Sequence, residues 1–347
     1  MNGTDRAPCL RHRLLISFER SFPSLSIPDA VSMPAPPPGI GSPTPFDGQA
    51  PQFDRRVGLP EGDCRAIAAA VIALARAGDG DRVLEIGAGT GMIGRWFLDH
   101  PVRYVGLDRS RGMLEVFRRL PGAGRAGLVQ ADGARTWPLP AGSAKVVFSS
   151  RAMHLLPLAH VVDEVFRVAG PAPSGASGRG GRGAGGDHGN QRERGDGADR
   201  AGGNDAGGVC LLGWVERGPE SVKARMSREM QRLVRERGFP PRTAGSRRFL
   251  AACRERGAAE LPRTAVARWE ARHSPRRSLA SWRSKLGLGG VVLPPGVQES
   301  VLDELEAWAR RTFGDLDAES SAEETYVLEG VRLGAAAAGG HLGTKFP

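Results

Sequence analysis

The sequence predicts an α/β protein in which a mostly parallel sheet is wound on both faces by helices. Residues 83–94 read VLEIGAGTGMIG, an apolar run with one acid that breaks into alternating glycines and then continues as an apolar stretch. That order is strand, tight turn and helix start, the element that holds nucleotide-like ligands at the carboxyl edge of doubly wound sheets. Strand-like and helix-like segments alternate beyond it, which favours parallel strands joined by helical crossovers. Residues 144–149 are nearly all apolar, as expected of a strand covered on both sides.

Taken in order, residues 1–50 alternate proline, serine and short apolar pieces and are expected to be a disordered leader. Met33 is an alternative start within it. Folding is expected to begin near Phe53. Residues 61–77 carry Ile67, Val71, Ile72 and Leu74 on one helical face, and glycines from Gly78 end that helix. Residues 82–86 form the first strand and 95–100 complete the helix after the glycine turn. Residues 102–107 form a second strand ending at Asp108, and Ser110 caps the following helix. A short third strand over 126–130 delivers Asp132, and the fourth, over 144–149, is followed by a helix over 158–168.

Residues 170–208 break the pattern. Fifteen of these 39 positions are glycine and no large apolar residue occurs, so a flexible, disordered surface insertion is expected. A fifth strand over 209–214 resumes the core. Helices are expected over 221–237, 247–256, 275–286 and 297–313, with late strands over 264–269 and 325–333. The folded domain thus spans 51–333, with residues 238–313 as a helical lid bearing on substrate choice. Residues 334–347 are expected to be a flexible tail.

Composition narrows the function. Hydrophobic residues make up 40% and charged residues 25%, a globular balance. No apolar run approaches the roughly 18 to 20 residues of a membrane span, so no membrane partner is expected. The four cysteines show neither zinc-ligand nor disulfide spacing, which points to no metal and to a reducing cytoplasm. The formal charge of +10 is uneven: residues 217–285 hold 19 Lys/Arg against 6 Asp/Glu, and 286–347 hold 4 against 10. The basic stretch is either a set of solvated helix faces or a patch for nucleic acid, the former being favoured.

Three acids accompany the glycine turn. Glu85 lies inside the first strand. Asp108, 21 residues beyond Gly87, ends the second strand and is placed to accept hydrogen bonds from a ribose diol, since a carboxylate offers several acceptor sites. Asp132, next to Gly133 and Ala134, ends the third, where an adenine edge would lie. Together with VLEIGAGTG (83–91), VGLDRSRGML (105–114), QADGA (130–134) and WPLP (137–140), these residues make the chain resemble the class I S-adenosylmethionine-dependent methyltransferases, in particular the small-molecule group that includes quinone-biosynthesis enzymes. The resemblance covers about residues 53–270.

It implies a Rossmann-like, seven-stranded sheet with one late antiparallel strand, S-adenosylmethionine as cofactor, and a small-molecule methyl acceptor. It also implies roles. Gly87, Ala88, Gly89 and Gly91 shape the turn against the methionine part of the cofactor, and Glu85 holds the polar network beneath. Asp108 and Arg109 meet the ribose side, Asp132 and Gly133 the adenine, and Ser149 the sulfonium side. Two departures stand out, Lys145 where such sequences carry an acid and the glycine-rich insertion.

A nicotinamide dinucleotide is the alternative cofactor, because Gly89–Gly94 matches G-x-G-x-x-G literally. Against it, that register starts three residues after Ile86, and Glu85 would repel a pyrophosphate. An RNA or protein methyltransferase using the basic stretch is the alternative among acceptors. His154, shortly after the fourth strand, is the candidate general base if the acceptor must lose a proton. The other reading has it packing beside the cofactor. Trp269, Trp282 and Trp308 either line an aromatic acceptor pocket or belong to the core.

Overall fold

A computed structural model describes residues 58–171, 207–240, 245–285 and 287–334. The expected leader, all but the ends of the glycine-rich insertion, and all but the first residue of the expected tail lie outside the described residues.

The chain runs α1 (Glu61–Ala75), β1 (Arg82–Ile86), a 3-10 segment (Gly94–Asp99), β2 (Arg103–Asp108), α2 (Arg111–Arg118), β3 (Gly127–Gln130), β4 (Val146–Ser150), α3 (Leu158–Ala169) and β5 (Val209–Arg217). It continues with α4 (Val222–Glu236), α5 (Gly245–Glu255), β6 (Ala259–His273), α6 (Pro275–Arg283), α7 (Pro295–Phe313) and β7 (Ser320–Arg332). Seven strands form one sheet in the order β3-β2-β1-β4-β5-β7-β6. The first five are mutually parallel, and β7 runs antiparallel to both β5 and β6. The doubly wound sheet with one reversed strand is as the sequence predicts.

Alternation along the central strands sorts their side chains onto two faces. Leu84, Ile86 and Val147 pack beneath α3 and α5 with Val161, Val165, Phe249 and Leu250. Val83, Tyr104, Val146 and Phe148 pack on the other face against α1, through Ile67, Ala68 and Val71, and against Phe97 and Phe117. Burial on both sides explains why these strands read as continuous apolar runs.

A third apolar cluster lies apart from the sheet. Met226, Met230 and Leu233 of α4, Leu279 and Trp282 of α6, and Val301, Leu302 and Leu305 of α7 bury one another. Each of these helices is entered or left at the carboxyl edge of the parallel strands, because α4 follows β5, α6 follows β6, and α7 leads into reversed β7. Within 238–313 the strand expected over 264–269 is present and longer, β6 running 15 residues from Ala259 to His273. Its two register shifts, between Leu261 and Thr264 and between Ala265 and Ala267, interrupt the two-residue alternation by which a strand is recognised.

Another difference follows the glycine turn. Residues 94–99 form a 3-10 segment rather than an α-helix. Gly94 lies against the Tyr104 hydroxyl and the Glu85 carboxylate, and Pro101 leaves only six residues before the chain must turn. A tight helix suits so short a run. The three tryptophans do not share one pocket: Trp269 packs on the α1 face, whereas Trp282 and Trp308 pack in the third cluster. The insertion leaves and rejoins the fold at adjacent points, the Gly208 N–H donating to the Ala169 carbonyl at 2.8 Å. Those points lie at the amino edge of the sheet, away from the glycine turn. Around Lys145 the backbone keeps regular hydrogen bonds to Arg82 and Val209, both at 2.9 Å, so this departure leaves the chain path intact.

Candidate active site

The glycine turn closes on β2. The N–H groups of Gly87 and Ala88 donate to the Leu107 carbonyl at 2.8 and 3.1 Å. Gly87, Gly89 and Gly91 all take positive φ, at 77°, 57° and 81°. The three glycines serve different ends. A Cβ on Gly87 would meet Ala152 at 2.2 Å, and one on Gly91 would meet the Phe117 ring at 2.4 Å, so both are needed for internal packing. A Cβ on Gly89 would come no closer than 3.9 Å to any atom. Its outer side is open, and there a ligand can reach the backbone.

Asp108 is fixed by this turn. Its Oδ2 accepts the Gly89 N–H at 2.8 Å and its Oδ1 accepts the Ser110 N–H at 2.8 Å. Ser110 in turn caps α2 by accepting the Met113 N–H at 3.2 Å. A carboxylate can accept several hydrogen bonds at once, and both oxygens of Asp108 are held at the carboxyl edge of the sheet. Arg109 follows it, its carbonyl accepting from Gln130 Nε2 at 3.3 Å. Asp132 is buried just beyond β3, its Oδ1 accepting the Ala134 N–H at 3.0 Å. The Gly133 carbonyl accepts from Trp137 Nε1 at 3.0 Å. Trp137 is fully buried and is held by a pair within α3: the Glu164 carboxylate accepts the Trp137 N–H at 2.6 Å, and Arg167 bonds both Glu164 and the carbonyls of Trp137 and Leu139. The WPLP segment is thus tied to the fold beside Asp132.

Glu85 is 2% exposed and lies under the turn. Its Oε2 accepts the Tyr104 hydroxyl at 2.6 Å. Gly94 and Gly106 make room for this pair, since a Cβ on Gly94 would fall 2.2 Å from the Tyr104 oxygen and one on Gly106 2.8 Å from it. Burial pushes the Glu85 carboxyl up to about 8, the Tyr104 hydrogen bond opposing this and the Asp108 charge adding to it. The folded protein then binds a proton that the unfolded chain releases near 4.5. The stabilisation that proton provides is complete below about pH 4.5 and lost as pH rises through 8. Glu85→Gln is expected to flatten the decline in melting temperature between pH 5 and 8; an unchanged slope would mean that Glu85 is ionised in the fold.

Ser149, at 1% exposure, does not face an open cleft: its hydroxyl donates to the Ile86 carbonyl at 2.9 Å and ties β4 to the start of the turn. The next residue, Ser150, receives the Tyr326 hydroxyl of β7 at 2.7 Å. Arg151 then adopts φ = 62°, unusual for a residue with a side chain, and Ala152 packs against Gly87. The sequence contains no signal for that backbone state. His154 lies in the 3-10 turn Met153–Leu155 that follows β4. His160, on α3, places Nε2 2.8 Å from the Arg135 carbonyl.

The basic stretch has an internal answer. Arg237 pairs with Glu304, Arg276 with Asp317, Arg277 with Glu319, Arg283 with Asp303 and Glu306, and Arg263 with Glu329. These five arginines of 217–285 therefore face acidic residues of 286–347.

A family model described as a methyltransferase domain matches residues 83–172. No curated protein matches the sequence. Among solved structures, the chain is similar to the YcgJ protein from Bacillus subtilis, at 17% identity over 77% of this chain and 97% of that one, with a TM-score of 0.44. It is also similar to geranyl diphosphate C-methyltransferase from Streptomyces coelicolor, at 11% identity over 77% and 75%, with a TM-score of 0.38. The glycine turn, Asp108, Asp132 and Ser149 all fall within the segment that the methyltransferase-domain model matches.

Proposed function

We propose that the chain transfers a methyl group from S-adenosylmethionine to a small-molecule acceptor held above the carboxyl ends of β4 and β5. The observation that carries this reading is the open backbone at Gly89 joined by a hydrogen bond to Asp108, the pair offering a ligand both close approach and a carboxylate. The cofactor supplies an activated methyl group when bound. Gly87, Ala88 and Gly89 give its amino-acid portion a backbone surface, Asp108 and the segment from Arg109 receive the ribose hydroxyls, and Asp132 with Gly133 border the base. Ser149 acts at one remove by holding the Ile86 carbonyl, and Glu85 by supporting the turn from below.

The protein's remaining task is to align the acceptor and exclude water, which proximity makes effective. His154 accepts a proton where the acceptor must lose one. A small-molecule acceptor is favoured over a nucleic acid because the arginines of 217–285 are largely engaged with carboxylates. Titration calorimetry tests the donor: S-adenosylmethionine is expected to bind and NAD is not. Binding of NAD without S-adenosylmethionine would overturn the reading. Transfer of labelled methyl into metabolite rather than RNA or protein fractions is the matching expectation for the acceptor.

A further inference from the structure

Four residues beyond Gly213, which pairs with Ser150 at the end of β4, β5 reaches Arg217. At about 3.3 Å per residue this lies roughly 13 Å farther along the carboxyl edge. There Arg217, Glu324 of β7 and Trp269 of β6 stand in register. Glu324 is 3% exposed, accepts the Arg217 Nε–H at 2.6 Å and lies 2.7 Å from His273 Nε2. Burial works to raise this carboxyl, but His273 and Arg217 together hold it below the usual range. Its charge is already used.

Lys223, in the first turn of α4, is different. Its ammonium lies 4.6 Å from the centroid of the Trp282 ring. Among the described residues no carboxylate reaches ion-pairing distance of it, whereas Arg217, Arg228 and Arg232 nearby are each paired. Burial and then the positive charges of Lys285, Arg217 and Arg277 pull it down to about 8, with Glu324 alone opposing. A cation in the first turn of a helix also meets the positive end of the helix dipole. Three unfavourable placements thus fall on one side chain: half-burial, like charges, and the wrong helix end. Groups that break local rules in this way without a carboxylate partner mark candidate functional positions.

We infer that Lys223, with Arg217 behind it and Trp282 beside it, binds an anionic group, carboxylate or phosphate, of the methyl acceptor. This deepens the proposed function and rests on it for the word acceptor. An anion there supplies the missing counter-charge and relieves the repulsion among the cations. The distance along the edge places the anionic end away from the glycine turn and leaves the methylated end near β4.

The test is titration of the full-length protein with benzoate, inorganic phosphate and neutral benzamide at pH 7 and constant ionic strength, read by calorimetry and melting temperature. Benzoate or phosphate is expected to bind and raise the melting temperature, and benzamide is not. Lys223→Met is expected to weaken the anion at least tenfold, and Lys223→Arg to retain most of it. Equal anion binding by wild type and Lys223→Met, or none by either, overturns the inference; benzoate against phosphate tells which anion is preferred. S-adenosylmethionine is titrated in parallel. Anion binding that depends on Lys223 without cofactor binding would remove the methyl-transfer reading and leave the anion site standing, and the reverse result would do the opposite. Unchanged cofactor affinity in Lys223→Met also excludes misfolding as the cause.

Discussion

Gly91→Ala is expected to destabilise the protein by about 2–5 kcal/mol. Two costs combine. A left-handed backbone costs an L-residue about 1–2 kcal/mol, and φ at this position is 81°. The new methyl would also stand 2.4 to 2.7 Å from three atoms of the Phe117 ring, and overpacking a core typically costs 1–3 kcal/mol. Phe117 cannot easily give way. It is fully buried and packs on Tyr104 at 5.9 Å between ring centroids, which itself stacks on Phe97 at 5.6 Å. Urea unfolding measures the effect. A change below about 0.5 kcal/mol would show that the turn relaxes and that its glycines are not fixed by packing. Gly89→Ala provides the contrast: it carries the backbone cost without the collision, so its stability loss should be the smaller, with the added methyl occupying the space through which a ligand approaches.

Asp108→Ala is expected to weaken S-adenosylmethionine binding by about 1.5–3 kcal/mol, the range for hydrogen bonds to a charged group, or roughly ten- to 150-fold. The substitution removes the carboxylate that would receive the ribose hydroxyls. It also releases the N–H groups of Gly89 and Ser110, so part of the loss would come from a loosened turn. Asp108→Asn separates the two contributions. It keeps one acceptor oxygen and the side-chain shape, but turns an amide NH2 toward one of the two N–H donors. Affinity between those of wild type and Asp108→Ala is expected, with a melting temperature near that of wild type. Unchanged affinity in both variants, measured by calorimetry, would remove Asp108 from the cofactor site.

The cofactor half was legible in the sequence because its determinants are local. Glycines two residues apart, an acid at a strand end and a serine before a helix each act over a few positions, and Gly89, Asp108 and Ser110 do meet. The proposed anion site was not legible for the opposite reason. Arg217 and Glu324 lie 107 residues apart and His273 a further 51 from Glu324, and no periodicity links them. That Lys223 stands over Trp282 with no carboxylate beside it likewise becomes visible only in the fold. Ser149 shows a third case. Its place at the end of β4 follows from the sequence, but the direction of its hydroxyl depends on the Ile86 carbonyl, 63 residues earlier. The apolar character of 95–100 predicts a helix, and the chain forms a 3-10 segment over Gly94–Asp99. The space available beside Tyr104 and before Pro101 decided otherwise.

The reversed direction of β7 has a consequence for how this scaffold can change. Links between parallel strands in one sheet must cross over it, nearly always right-handedly, and that constrains what they contain. The stretch from β6 to β7 makes no such crossing, since both of its ends open on the same rim. Residues 274–319, with α6 and α7, can therefore lengthen, shorten or be exchanged without disturbing the winding of the sheet. The same reversal brings the beginning of a strand, and with it Glu324, to a rim otherwise reached only by strand endings. Sequence change has an outlet there that the half wound from β1 to β5 does not share.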